Sequence, residues 1–119
     1  MKLAFTKMQG LGNDFVVFDG ISQPLSIGPQ LATRVADRHT GIGCDQILVA
    51  EASRSPDADI FYRIFNADGS EVGQCANGVR CIARFLFDQG VIQSREIVVE
   101  TKTTKMRATL EEGGMVRVD

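Results

Sequence analysis

The chain has 119 residues, of which 44% are hydrophobic and 24% charged, so its composition is that of one globular domain and excludes a disordered tail. Its formal net charge is −2, and no Lys/Arg cluster indicates a nucleic-acid-binding surface. The longest apolar runs, such as residues 15–18 and 47–50, are too short to cross a membrane, and residues 1–10 lack the apolar stretch of a signal peptide. We therefore expect a cytoplasmic protein without nucleic-acid or membrane partners.

Short runs with β-type composition, separated by Gly, Asn and Asp, dominate the chain. In chain order they predict strands at Leu3–Met8, Phe15–Asp19, Gln46–Ala50, Asp59–Phe65, Glu96–Thr101, Lys105–Glu111 and Met115–Val118. Alternate residues such as Ile60, Tyr62 and Ile64 are apolar, which is the pattern of half-buried strands. Gly113 and Gly114 predict a tight hairpin turn between the last two strands, because both can adopt a positive φ.

Two predicted helices interrupt these strands. The first runs from Pro29, which suits the first helical position, to about Arg38. The second begins just after Cys75 and runs to about Gln89, with Gly90 as a left-handed stop. Its apolar residues lie on more than one side, so we expect it to be buried on most faces. A buried helix among short strands predicts an α+β fold, with a mostly antiparallel sheet wrapped around a central helix.

The sequence contains no internal repeat, low-complexity tract or Pro/Ser-rich linker, so we expect residues 1–119 to form one unit. Its last residues, MVRVD, stop inside the second arm of the final predicted hairpin. Domains seldom end on a bare strand edge, and we therefore expect the sequence to be a fragment of a longer protein.

The three cysteines are Cys44, Cys75 and Cys81. An odd number of cysteines without a secretory signal predicts free thiols rather than disulfide bonds. No C-x-x-C pair is present, so we expect no zinc site and no other metal.

The segment with the clearest chemistry is FNADGSEVGQCANGVRC, residues 65–81, which brings Cys75 to the start of the second helix. Unpaired N–H groups at a helix N-terminus bind carboxylates, and the helix dipole there lowers the pKa of a thiol. The alternative is that Cys75 is a small buried residue. Cys81 follows by six residues, about 240° around and about 9 Å along a helix, so we assign it to packing. Packing is also the preferred role of Cys44, although proximity to the site stays open.

Other polar residues are ambiguous when each is taken alone. Asn13 follows the weak motif G-L-G at the mouth of a strand and is either a turn residue or a ligand contact. Asp45 and Gln46 are either a solvated loop end or polar groups directed into a cleft. His39, the single histidine, follows a helix end and has no Ser/Asp partners that would form a hydrolase triad.

Three blocks taken together resemble the amino-terminal half of the diaminopimelate epimerase family: KMQGLGNDFVVFD, ADRHTGIGCDQILV and YRIFNADGSEVGQCANGVRCIARF. Proline racemase and the phenazine-pathway isomerases share the fold but resemble these blocks less. The resemblance implies a protein of two lobes, each a sheet around a central helix, with substrate in the cleft between them. It also implies that Cys75 is the thiol of this lobe. The implied substrate contacts are Asn13, Gln46, Asn66, Asn77 and the backbone N–H of Ala76.

Ala76 departs from the family, which commonly has glycine there, but the added methyl group leaves the backbone donor in place unless the turn needs a positive φ. The implied reaction converts LL-diaminopimelate to meso-diaminopimelate without pyridoxal phosphate, metal or other cofactor. It needs a thiolate base on one face of the substrate and a thiol acid on the other.

The second lobe and its cysteine are absent from the 119 residues, so we expect this chain alone to be inactive. Family likeness also implies a homodimer for the two-lobed protein. Two alternatives stay open: a racemase or isomerase of the same fold with another substrate, or a non-catalytic binding or oligomerisation module.

Overall fold

A computed structural model describes residues 4–10, 12–23, 25, 27–73 and 76–118, without the side chains of residues 76 and 77. Its strands are β1 Thr6–Gly10, β2 Asn13–Asp19, β3 Gln46–Ala52, β4 Ile60–Asn66, β5 Glu71–Val72, β6 Glu96–Glu100, β7 Lys105–Leu110 and β8 Val116–Val118. The helices are α1 Pro29–Ala36 and α2 Ala76–Asp88, with a 3₁₀ turn at Glu112–Gly114. Within these described residues, no helix is long and apolar enough to cross a membrane.

All the strands belong to one sheet in the order β1-β2-β3-β4-β6-β7-β8, with β5 added to β4. Five strand pairs in the described chain are antiparallel and two, β2 with β3 and β4 with β6, are parallel. The prediction of a mostly antiparallel sheet in an α+β fold is therefore confirmed. Each parallel pair is joined by a crossover that contains one helix, as parallel neighbours require.

The two helices lie on opposite faces of the sheet. Strands β4 and β6 run opposite to β2 and β3, because β3 and β4 are antiparallel. Both crossovers advance in the same direction across the sheet, but the two parallel pairs that they join run in opposite directions. Two such right-handed crossovers place their helices on opposite faces. We call these sides the α1 face and the α2 face.

Alternation along the strands divides the core between these faces. The cluster on the α2 face contains Phe15, Leu48, Tyr62 and Ile64 together with the apolar side of α2. The smaller cluster on the α1 face contains Val16, Ile47, Val49 and Phe65 with Ala32 and Ala36 of α1. Strands β2 to β4 are thus buried on both sides, which explains their nearly continuous apolar sequence.

Helix α2 is central, as predicted. Val79, Ile82, Ala83 and Leu86 are fully buried, and both edge strands of the curled sheet, β1 and β8, contact the helix. The helix ends before Gly90, whose φ of 74° is left-handed as expected.

The largest boundary error concerns β1, which is predicted at Leu3–Met8 and observed at Thr6–Gly10, with Leu3 outside the described residues. The hairpin between β1 and β2 pairs Gly10 with Asn13, and Gly12 adopts a φ of 90° within it. Gly10 therefore belongs to the strand, although its residue type suggested a loop. The two-residue strand β5 was not predicted at all, because so short a run has no periodicity.

The last hairpin forms, but its turn is longer than predicted. Gly113 and Gly114 both have positive φ, at 78° and 81°. They lie in a 3₁₀ turn, and the N–H of Glu111 donates to the carbonyl of Met115 at 2.7 Å across it. Helix α1 begins at Pro29 as predicted and ends at Ala36, two residues early, because Asp37 is already extended.

Candidate functional site

Three residues predicted to contact substrate lie at one edge of the sheet. Asn13 and Gln46 are the first residues of the parallel strands β2 and β3, and Asn66 is the last residue of the antiparallel strand β4. The register pairs Gln46 directly with Asn66 and with Phe15, two residues beyond Asn13. Gln46 and Asn66 are therefore paired although they are 20 positions apart in the chain, since 66 minus 46 is 20, and Asn13 lies two residues from the partner of Gln46 on the next strand.

All three amides are on the α2 face. Side chains two residues apart along a strand share a face, and the residues two positions further into the sheet are Phe15, Leu48 and Ile64. Those three are fully buried in the cluster around α2. The amides thus form the partly exposed rim of that core.

Hydrogen bonds fix how two of these amides are turned. Nε2 of Gln46 donates to Oδ1 of Asn66 at 3.0 Å, and Nδ2 of Asn66 donates to Oγ of Ser70 at 3.2 Å. Oγ of Ser70 in turn donates to Asp68 at 2.6 Å. The pKa of Asp68 is lowered, first by this bond and then by the N–H of Ser70. A short chain of bonds across the 66–70 turn therefore orients Asn66.

The amino end of α2 lies against the same face. A Cβ on Gly78, in the first turn of the helix, would overlap the hydroxyl of Tyr62 and approach Cδ2 of Leu48 to 3.1 Å. Only glycine allows the helix this close to β3 and β4. Leu48 is the next residue after Gln46 on this face of β3. The start of α2, which contacts Leu48, therefore lies close to the amides.

Helix α2 begins at Ala76, as predicted, so its first N–H groups are those with no partner inside the helix. Cys75 itself lies outside the described residues, as do the side chains of Ala76 and Asn77. Their roles therefore stay predictions. The structure describes the start of α2 and, on the same face of the sheet, the Gln46 and Asn66 amides.

The other two thiols are core residues, which confirms the packing prediction for both. Cys81 is 6% exposed within the α2-face cluster, and a Cβ on Gly10 would come within 3.1 Å of its Sγ. Cys44 is 2% exposed in the cluster on the α1 face, and burial raises the pKa of its thiol. Cys44 thus lies on the opposite side of the sheet from the amides, which answers the question that the sequence left open.

Behind the amides, on the α1 face, is a group of charged side chains that the sequence analysis missed. Arg38 donates to both carboxylate oxygens of Asp14, at 2.9 and 3.1 Å, and to Asp45 at 3.2 Å. Lys7 adds an ion pair to Asp14 at 3.1 Å. These bonds, the one from Arg38 foremost, lower the pKa of Asp14 well below its usual range. Asp45, left ambiguous by the sequence, thus belongs to the ion cluster, while Gln46 faces α2.

A cavity of about 290 Å³ extends from this charged group to Asn13; it is lined by Gln9, Gly12, Asn13, Asp14, Arg38 and Asp45. One sequence signal could have revealed the charged group. Asp14 and Asp45 each immediately adjoin a predicted contact residue, Asn13 and Gln46, within the blocks that carry the family resemblance.

The described site is rich in neutral hydrogen-bonding groups. Side-chain amides offer both donors and acceptors, and helix N–H groups offer donors, so together they suit a ligand that has both a carboxylate and an ammonium group. Side-chain amides do not act as general acids or bases near neutral pH. Any proton transfer here needs another residue, and Cys75 is the one that the sequence puts next to this frame.

The chain is similar to known proteins along nearly its whole length. The diaminopimelate epimerase family model matches residues 5–119. A diaminopimelate epimerase from Aromatoleum aromaticum is 56% identical over 119 residues, which are all of this chain and 43% of that protein. The chain thus spans less than half of the length of the curated relatives that it matches.

Solved structures share the fold at much lower identity. A methylitaconate-delta-isomerase superposes with a TM-score of 0.74 at 18% identity, over 98% of this chain and 63% of that one. A hydroxyproline epimerase from Agrobacterium vitis superposes with a TM-score of 0.70 at 17% identity, over 96% of this chain and 40% of that one. The family match, which covers nearly the whole sequence, decides the assignment: the chain belongs to the diaminopimelate epimerase family.

Proposed function

We propose that this chain forms one half of the active site of a cofactor-independent diaminopimelate epimerase, with Cys75 as one of its two acid/base thiols. The observation that carries the proposal is the convergence of Asn13, Gln46 and Asn66 on the α2 face, beside the helix start that Cys75 immediately precedes. The product would be meso-diaminopimelate, a precursor of lysine and of the cell wall.

The chemistry explains why such a frame is needed. The α-proton of an amino acid is a very weak acid, so the carbanion formed on its removal must be stabilised by donors directed at the carboxylate. Asn13, Gln46, Asn66, Asn77 and the N–H of Ala76 would hold the carboxylate and ammonium groups. These contacts leave the α-carbon presented to thiols on its two sides.

Proton transfer then follows from two opposed thiols. One cysteine, as thiolate, takes the α-proton, and the second, as thiol, gives its proton to the other face of the same carbon. The configuration is inverted, and the two sulfurs finish with exchanged protonation states. The N-terminus of α2 would favour the thiolate form of Cys75, since its unpaired N–H groups and dipole stabilise a negative charge.

The second thiol would come from a further lobe. The relatives are more than twice as long as this chain, which supports a two-lobed protein with its substrate between the lobes. We propose that the 119 residues alone do not epimerise. A cytoplasmic location and a homodimer of the two-lobed form belong to the same proposal.

The test uses a joined protein, in which residues 1–119 are followed by the part of the Aromatoleum aromaticum enzyme that lies beyond the segment matching this chain. We expect it to convert LL-diaminopimelate to the meso form, and the isolated chain to have no measurable activity. Cys75→Ala in the joined protein should lower kcat by about 1,000-fold, within the usual range for an acid/base group. Cys44→Ala, the matched control on the α1 face, should retain activity.

Three results would contradict the proposal. The isolated chain could turn over as fast as the joined protein, which would remove the need for a second thiol. Cys75→Ala could keep full activity in the joined protein. A folded joined protein could also act on proline or hydroxyproline and leave diaminopimelate unchanged, which would replace the substrate but keep the fold.

A further inference from the structure

The starts of β2 and β3 are tied together by reciprocal bonds between Asp14 and Asp45. The N–H of Asp14 donates to Oδ2 of Asp45 at 3.0 Å, and the N–H of Asp45 donates to Oδ1 of Asp14 at 2.8 Å. The N–H of Asp45 also lies 3.1 Å from the carbonyl of Asp14. Each carboxylate therefore holds the backbone of the opposite strand, at the point where the two parallel strands begin.

Two carboxylates this close repel one another unless cations lie between them. Arg38 bonds to both, and Lys7 pairs with Asp14. Arg38 follows α1, so the pairing also ties the end of that helix to the strand starts. The side chain of Asp14 is 15% exposed and that of Arg38 55%, so the aspartate is the shielded centre of the group. Charge and geometry together keep the two strands at a fixed separation.

Asp14 and Asp45 are each next in the chain to a proposed substrate contact. Asn13 precedes Asp14, and Gln46 follows Asp45. Adjacent side chains in a strand lie on opposite faces, so the charged pair is on the α1 face while the amides are on the α2 face. A change in the separation of the strand starts moves Asn13 relative to Gln46.

We propose that Asp14, Arg38 and Asp45 form a clamp on the α1 face that sets the spacing of Asn13 and Gln46 on the α2 face. The three are positioning residues: they act through the backbone of β2 and β3 and do not touch the substrate. The catalytic consequence rests on the proposed function. The geometric part, that the clamp holds the two amides, does not.

The geometric part is tested in the 119-residue chain by NMR of the side-chain NH₂ groups. Arg38→Met removes the bridging charge and keeps a long side chain. We expect the Asn13 and Gln46 NH₂ signals to shift or broaden, while that of Gln23, which bonds to the carbonyl of Ala4, stays in place. Arg38→Lys should restore part of the difference. The matched control is Arg34→Met, because Arg34 is exposed on α1 and forms no ion pair within the described residues.

The catalytic part is tested in the joined protein by separating kcat from KM. Misplacing two substrate contacts by about 1 Å can cost about 100-fold, so Arg38→Met should lower kcat/KM by about that factor. KM should rise as well as kcat fall. A purely structural role of Arg38 would reduce the folded fraction, which lowers kcat and leaves KM unchanged. Arg38→Lys should be intermediate, and Arg34→Met should match the unsubstituted protein.

Two results would overturn the clamp. The clamp is overturned if the folded Arg38→Met chain keeps the Asn13 and Gln46 NH₂ signals unchanged, or if the joined variant keeps its KM. Failure of the proposed function looks different, because the unsubstituted joined protein would then be folded and inactive. In that case the NMR result alone supports or overturns the clamp.

Discussion

At the same edge of the sheet, the two faces carry different chemistry. The α2 face has the neutral amides Gln46 and Asn66 beside the start of α2, and the α1 face has Asp14, Arg38 and Asp45 in mutual ion pairs. Ion pairs fix one geometry, whereas amides can donate or accept toward a ligand. The difference indicates that the α1 face holds the strands in place and that the α2 face contacts the substrate. Substitutions on the two faces should therefore have different effects.

The largest effect on catalysis without a loss of stability is expected on the α2 face. In the joined protein, Asn66→Ala should lower kcat/KM by about 100-fold, the usual result of losing one donor that stabilises developing charge. The melting temperature should change little, because Asn66 is a partly exposed residue at the end of a strand. Steady-state kinetics and thermal melting measure the two quantities.

Gln30→Ala, which removes an exposed amide from α1, is the control and should leave kcat/KM unchanged. If Asn66→Ala changes kcat/KM by less than twofold, the amides of the α2 face do not recognise the substrate. The contrast between the faces would then be lost.

The next effect concerns the close approach of α2. Gly78→Ala forces a methyl group into the Tyr62 hydroxyl and should lower the free energy of unfolding by about 1–3 kcal/mol, as overpacking usually does. Urea unfolding of the 119-residue chain gives the value. The double variant with Tyr62→Phe should recover part of the loss, because the overlapping oxygen is gone. No recovery would mean that the helix start does not rest on Tyr62.

On the α1 face the expected loss of stability is smaller and depends on pH. The pKa of Asp14 is lowered in the folded chain, so its ionised form stabilises the fold above its unfolded pKa, about 4. That stabilisation is lost as the pH falls through the lower, folded pKa. Asp14→Asn should therefore cost about 1 kcal/mol at pH 7, and the difference from the unsubstituted chain should shrink as the solution is acidified below pH 4.

The experiment is urea unfolding of both chains between pH 7 and pH 3. A difference that grows on acidification would have the wrong sign and would contradict the assignment of Asp14 as an ionised, bonded carboxylate. Equal stability at pH 7 would mean that the clamp contributes nothing to the fold.

The smallest effect is expected far from both faces of the site. Asp57 is an exposed carboxylate whose pKa is lowered by its bond to Lys105, and its side chain is 67% exposed. An exposed pair of this kind is screened by solvent and stabilises little. Asp57→Asn should leave the urea midpoint unchanged at pH 7, and a loss equal to that of Asp14→Asn would mean that the charged group behind the site is an ordinary surface cluster.

The sequence predicted the repeated features of the fold well and the isolated ones poorly. Alternation at Ile60, Tyr62 and Ile64 located β4, and the apolar sides of α2 indicated its central place, because both patterns recur over several residues. Strand β5 has two residues and offers no period to detect. The predicted first strand stops at Met8, before Gly10, because glycine is rare in strands, yet Gly10 pairs with Asn13 and leaves room for Cys81.

The site divides in the same way. Asn13, Gln46 and Asn66 were predicted as contacts only from the resemblance to the family. The strand register of the folded chain then shows that they lie at the same end of the sheet. The Asp14 to Arg38 bond spans 24 positions of the chain and carries no local pattern, so sequence alone could not pair them. The sequence likewise could not predict that Cys44 lies on the α1 face, because that depends on how the sheet and α1 pack.

The proposed half-site is tested most directly by comparing the reactivities of the three thiols of the 119-residue chain in one sample. Iodoacetamide at pH 7, followed over time by mass spectrometry, gives the alkylation rate of each cysteine. We predict that Cys75, at the start of α2, reacts at least about tenfold faster than Cys44 and Cys81, which are buried in the two core clusters. If Cys75 reacts no faster than Cys44, the chain does not carry a reactive thiol beside its amides, and the proposed half-site is wrong.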